Sequence, residues 1–142
     1  MVEFTTVLQK IDEGSGVAWL TFNRPEKKNA MSHKFMAELI EALKALADND
    51  KIKCVVTTGS GDSYSSGLDL YDLRESWKRK RAWDHAGSTY EIVRVLRSMP
   101  QIPVAAAKGW CLGGGLAVIN AHDLCIAGES AKFGQPEVEI GI

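Results

Sequence analysis

Two stretches of this sequence free the main chain instead of supplying reactive side chains. One is Ser65-Ser66-Gly67-Leu68-Asp69-Leu70; the other is Gly113-Gly114-Gly115 within GWCLGGGLAV (109–118). A glycine inside a helix costs about 0.5–1 kcal/mol relative to alanine, so three where a helix is about to begin require a reason. One reason is close packing of a helix on a strand. Another is the approach of an oxygen atom to bare backbone. The first N–H groups of a helix have no intrahelical partner, and the macrodipole leaves that end slightly positive. Two such N–H groups from separate loops could hold one developing oxyanion, an arrangement worth several kcal/mol in a water-poor site.

The surrounding pattern predicts the elements that would position these loops. Thr5–Ile11 and Val17–Asn23 flank Gly14-Ser15-Gly16 and read as a β-hairpin. After the basic loop RPEKKNA, Ser32 can cap a helix whose apolar residues Phe35, Met36, Leu39, Ile40, Leu43 and Leu46 recur at helical spacing. KCVVTTG (53–59) is a buried strand that leads into the Gly/Ser loop holding SSGLDL. Residues 71–86 are charged and partly helical. Ser88-Thr89-Tyr90-Glu91 has the form of a capping box and predicts a helix start. IPVAAA (102–107) is the next strand, followed by the glycine turn, a helix to about His122, and a strand at DLCIA (123–127). The whole is a mixed α/β arrangement.

Composition narrows the function classes. The chain has 142 residues, 45% hydrophobic and 25% charged, which suits one globular domain with a real core. With 17 basic and 18 acidic side chains the net charge is −1, so no global field favours nucleic acid or an anionic membrane. The KRKR run (78–81), flanked by Trp77 and Trp83, reads as a solvated helix face or as a clasp for a phosphate-rich ligand or nucleic acid. Cys54, Cys111 and Cys125 are widely spaced and read as reduced core thiols of a cytoplasmic protein. His33, His85 and His122 lack metal-ligand spacing, and no metal site is expected. GSGDSY (59–64) has Tyr64 where a dinucleotide fingerprint needs its third glycine, and neither a P-loop nor a G-x-S-x-G elbow is present. Gly109–Ala121 is too short an uncharged run for the ~20 residues that span a bilayer.

Four motifs in order, NRPEKKNAMS (23–32), SSGLDL (65–70), AAAKGWCLGGGL (105–116) and AKFGQPEVEIGI (131–142), resemble the enoyl-CoA hydratase/isomerase, or crotonase, family. The resemblance implies a ClpP/crotonase-like spiral of β-β-α units over residues 1–142, assembly as trimers or hexamers, and an acyl-CoA thioester as substrate with no permanently bound cofactor. By motif, the amides of Leu68 and Gly114 would form the oxyanion hole and Glu137 would be the catalytic acid/base. Lys27 would contact a CoA phosphate; Ser66, Asp69, Leu70 and Gly113 would bind substrate, with Asp69 shaping the loop. The other reading of Glu137 is a loop carboxylate paired with a nearby Lys or Arg.

Two departures bear on the chemistry. Family hydratases commonly carry a glutamate two residues after the glycine turn, where this chain has Ala117. A single glutamate still suffices to move one proton between carbons, as in members that shift a double bond. Hydroxycinnamoyl-CoA hydratase-lyases likewise lack the first glutamate, and their GW-C-GGG turn resembles this GWCLGGG. The sequence also stops directly after the Glu137 motif, so the family's C-terminal helical part is expected to be missing. The expected function is therefore a lyase/hydratase or isomerase acting through an enolate; the alternative is a catalytically silent acyl-CoA-binding or scaffold protein.

Overall fold

Strands whose inward residues are almost all apolar build the centre of the molecule. A computed structural model describes residues 4–79 and 82–141. A five-stranded sheet has the order β1 (Val7–Asp12), β2 (Val17–Phe22), β3 (Cys54–Gly59), β4 (Ile102–Ala107), β6 (Leu124–Ala127). The first pair is antiparallel, with Val7 opposite Phe22, and the other three pairs are parallel. Ala18, Leu20 and Phe22 alternate inward along β2, as a half-buried strand requires. Parallel neighbours cannot be joined by tight turns, so each crossover carries a helix.

Those crossovers also build a second layer. Strands β5 (Trp110–Leu112) and β7 (Lys132–Gly134) pair in parallel, and bridges Ser65–Cys111 and Met31–Leu68 extend the ladder. The chain thus repeats one unit: a strand in the large sheet, a short extended segment in the small one, then helix. Met31 precedes α1 (His33–Ala47), and Ser65 and Leu68 precede α2 (Leu70–Lys78) and α3 (Ala82–Ser98). β5 precedes α4 (Gly114–Asn120), and β7 precedes α5 (Glu137–Ile140). This is the spiral of β-β-α units that the motifs implied.

Ser32 caps α1 as expected, its Oγ accepting from the Phe35 amide at 3.2 Å. Phe35, Met36, Leu39, Leu43 and Leu46 are buried along one face of that helix. Phe22 meets Phe35 and Tyr64 edge-on, with centroids 5.0 and 4.9 Å away. The helix also pins the start of β1. Glu38 accepts from the amides of Thr5, Thr6 and Val7 at 3.0, 2.7 and 3.2 Å.

Three expectations need correction. Ser88 does not start a helix: α3 already runs from Ala82, so the local capping signature is overridden by continuous helix upstream. The short strands β5 and β7 were not anticipated, being only three residues each. Cys111 is buried and Cys54 half-buried, but Cys125 is exposed on the edge strand β6 and is no core thiol. Lys80 and Arg81 of the basic run, with the side chains of Trp83 and His85, lie outside the described residues.

Candidate active site

The small ladder fixes the direction of one critical peptide. Gly67 O accepts from the Met31 amide at 2.8 Å, and the Asp69 amide donates to Met31 O at 3.1 Å. In a trans peptide the carbonyl and the following N–H point opposite ways. With Gly67 C=O turned to Met31, the Leu68 N–H points away from the ladder. The second peptide is fixed by helix α4, where Gly113 O accepts from the Ala117 amide at 3.0 Å. The Gly114 N–H, first in the helix, therefore points out of its N-terminal end. Neither the bridge nor the helix uses these two amides.

The glycines let these segments meet. Gly67 has φ +96°, and a Cβ there would fall 3.0 Å from Leu112 O and 3.3 Å from Gly114 N. The two loops are thus in backbone contact. The three glycines of the turn answer to different neighbours. Gly113 has φ +50°, and its Cβ would land 2.1 Å from Glu137 Oε1. A Cβ on Gly114 would stand 3.4 Å from the tips of Leu68 and Met31. On Gly115 it would collide with Ser65 Cβ at 2.8 Å and Ser65 O at 2.9 Å. Close packing explains Gly115; room for the Glu137 carboxylate explains Gly113.

Glu137 opens α5, and its carboxylate lies on the bare face of Gly113. Its Oε2 is buried, with no hydrogen-bond partner among the described residues. No salt bridge to a lysine or arginine involves it among those residues, which disfavours the loop ion-pair reading. Leu68 and Glu137 together border two hollows. One, of about 320 Å3, is lined by Thr89, Tyr90, Val93, Gly113, Gly114, Ala117 and Gln135. The other, of about 510 Å3, is lined by Lys27, Ala30, Ser66, Asp69, Leu70, Tyr71 and Pro136 among others. The site is a waist between an apolar chamber and a larger groove. A wider hollow of about 610 Å3 lies along α1 near Ser88, away from both amides.

The remaining residues from the motifs divide into groove-lining and framework roles. Lys27 lies in a 3-10 turn, Pro25–Lys27, and is exposed on the groove. Lys28 pairs instead with Asp62 at 2.6 Å. Ser66 donates from Oγ to Lys27 O at 3.4 Å, and Leu70 is exposed on the groove wall. Asp69 accepts from Arg24 Nη1 at 2.9 Å and caps α2 by accepting from the Tyr71 amide at 3.1 Å. Burial pushes the Asp69 carboxyl up, but the Arg24 hydrogen bond and charge outweigh it and hold the pKa below the usual value. Its position fits a loop-shaping residue.

Some residues at the site carried no readable signal. Tyr90 and Gln135 line the apolar chamber, yet nothing in their spacing marks them. Asn29 is fully buried with φ +53°; Oδ1 accepts from the Arg24 amide, and Nδ2 donates to Ser60 O and Ser63 O. Asparagine is among the few side chains that tolerate positive φ, which is the signal that was available. Among the described residues no group of His, Cys, Asp and Glu could hold a metal, and no helix is long and apolar enough to cross a membrane.

Comparison with known proteins identifies the family and the fold. The enoyl-CoA hydratase/isomerase family model matches residues 12–142. The hydroxycinnamoyl-CoA hydratase-lyase of Pseudomonas fluorescens is 32% identical over 145 aligned positions, covering 94% of this chain and 50% of that protein. The crotonyl-CoA hydratase of Syntrophomonas wolfei is 32% identical, covering 93% and 51%. Among solved structures, Pseudomonas aeruginosa AtuE superposes with a TM-score of 0.91 at 30% identity, over 96% of this chain and 53% of the other. This chain belongs to the enoyl-CoA hydratase/isomerase family and has the crotonase fold. It spans about half the length of the curated relatives it matches.

Proposed function

We propose that the chain binds an acyl-CoA thioester across the waist and stabilises its enolate. The acyl group would occupy the apolar chamber beside Ala117 and Val93, and the CoA arm the groove beside Lys27 and Ser66. The amides of Leu68 and Gly114 would donate to the thioester oxygen. As a proton leaves the α-carbon, negative charge moves onto that oxygen, where preorganised donors act most strongly. Glu137 would take the proton and return it to another carbon. The observation that carries this reading is the Glu137 carboxylate packed on Gly113, beside two amides with no main-chain acceptor among the described residues.

One carboxylate sets the reaction type. Ala117 lines the chamber where family hydratases hold their first glutamate, and a methyl group cannot activate water. The reading therefore favours isomerase or lyase chemistry over two-glutamate hydration. No metal or redox group enters any step.

Leu124, Ile126, Phe133 and Val138, on the last two strands and the last helix, are 48–76% exposed, and extensive exposed apolar surface favours association. This supports assembly into a homo-oligomer, readable as a light-scattering mass.

The direct test is Glu137→Gln, assayed with crotonyl-CoA, a 3-enoyl-CoA and a hydroxycinnamoyl-CoA. Turnover should vanish while CoA-ester binding persists. Unchanged turnover refutes the role of Glu137. A wild-type chain that binds CoA esters but converts none of them is a binding protein instead.

A further inference from the structure

Ser65 is fully buried and touches the two segments that carry the Leu68 and Gly114 amides, although it faces neither hollow. Its amide donates to Trp110 O at 3.0 Å, and its carbonyl accepts from the Leu112 amide at 3.0 Å, tying it to the strand that leads into the glycine turn. Its Oγ donates to Asn29 O at 2.9 Å and accepts from the Gly67 amide at 3.2 Å. The bare Cα of Gly115 packs against its Cβ. A serine hydroxyl has one proton to give. Here the proton goes to a carbonyl, which can only accept, so the Gly67 N–H must be the donor in the second bond. The hydroxyl therefore has one orientation.

That orientation has consequences for the proposed oxyanion donors. Asn29 is itself clamped at Arg24, Ser60 and Ser63, so its carbonyl is a fixed anchor. From this anchor the hydroxyl holds the peptide immediately before the one that supplies the Leu68 N–H. Through Gly115 the same residue sets how closely α4, and with it the Gly114 N–H, approaches. We infer that Ser65 is the positioning residue that sets the spacing and aim of the two amides. This inference rests on the proposed thioester reading, because a donor pair needs a fixed spacing only if it serves one oxygen.

The test compares Ser65→Ala with the wild type. The alanine keeps the Cβ against Gly115 but removes both hydrogen bonds, leaving the Gly67 N–H buried and unpaired. With Leu68 and Gly114 still present but less well aimed, kcat should fall roughly 10–100-fold, below the 10²–10³ of losing a donor outright. The Kd for free CoA should stay within about twofold, since CoA itself carries no thioester oxygen. Hydrogen exchange at the Gly67 amide should accelerate. If Ser65→Ala does not fold, Ser65→Cys keeps the branching with a slightly larger atom, weakens both bonds and carries the same expectation. If the wild type binds thioesters without turning them over, the carbonyl stretch of the bound thioester replaces kcat. A wild-type kcat or carbonyl stretch in the variant overturns the inference, as does a loss of CoA affinity in step with activity. If the wild type neither binds nor converts a CoA ester, the thioester reading fails first and takes this inference with it.

Discussion

Replacing Gly113 by alanine sets one methyl group against the Glu137 carboxylate. The added Cβ would stand 2.1 Å from Oε1, 2.8 Å from Cδ and 2.9 Å from Oε2. Reaching ordinary contact requires the carboxylate to retreat by roughly 1 Å, and a misplacement of that size can cost about 10²-fold in rate. The backbone adds its own penalty. At φ +50° and ψ −119° only glycine is at ease, and strain there costs on the order of 1–3 kcal/mol. The variant should therefore unfold roughly 5–10 °C below the wild type and lose about 10²-fold in kcat. Gly114→Ala is the matched control. Its Cβ meets only flexible tips, Leu68 Cδ2 and Met31 Sδ, at 3.4 Å, so its melting temperature should stay within a few degrees. Differential scanning fluorimetry and steady-state assays of both variants decide the matter. A Gly113→Ala protein as stable and as active as the wild type would refute the placement of Glu137 on that glycine.

Two other predictions follow from the charges. Lys27→Ala should weaken CoA binding about five- to tenfold at low salt, with the difference shrinking as ionic strength rises. Lys28→Ala should change it less than twofold, because Lys28 is held by Asp62; isothermal titration at two salt concentrations reads both. His122 is buried, its Nδ1 donating to Val118 O at 2.7 Å and its Nε2 accepting from Thr57 Oγ1 at 2.8 Å. Burial pushes its pKa below the ordinary 6.5, against the raising effect of the Val118 bond and Asp123. The unfolded chain thus binds a proton that the folded one refuses, and stability should fall as pH drops below about 6.5. His122→Gln should flatten that slope between pH 7 and 5 in urea unfolding; an unchanged slope contradicts the assignment.

Much of the frame was legible because local signals and tertiary demands coincide. The hairpin's second strand, the Ser32 cap with its buried helical face, and strands β3 and β4 all have apolar pattern and burial in agreement. The capping form at Ser88 failed because helix α3 already runs upstream of it. Strands β5 and β7 escaped because three residues hold too few alternations to show a period. The backbone of the candidate site was readable, because glycines at 67 and 113 signal unusual main-chain conformation whatever surrounds them. What the sequence could not supply was which glycine faces what. The packing of Gly115 on Ser65, the seat of Glu137 on Gly113 and the apolar wall from α3 are all contacts between segments distant in the chain.

Whether a thioester oxygen is gripped by main chain can be watched directly in its carbonyl vibration. With an isotope-labelled acyl-CoA bound to Glu137→Gln, so that no chemistry intervenes, difference infrared or Raman spectra report the C=O stretch. Donation from the Leu68 and Gly114 amides predicts a clear shift to lower frequency on binding. A bound ester whose carbonyl vibrates as it does in water would contradict the account.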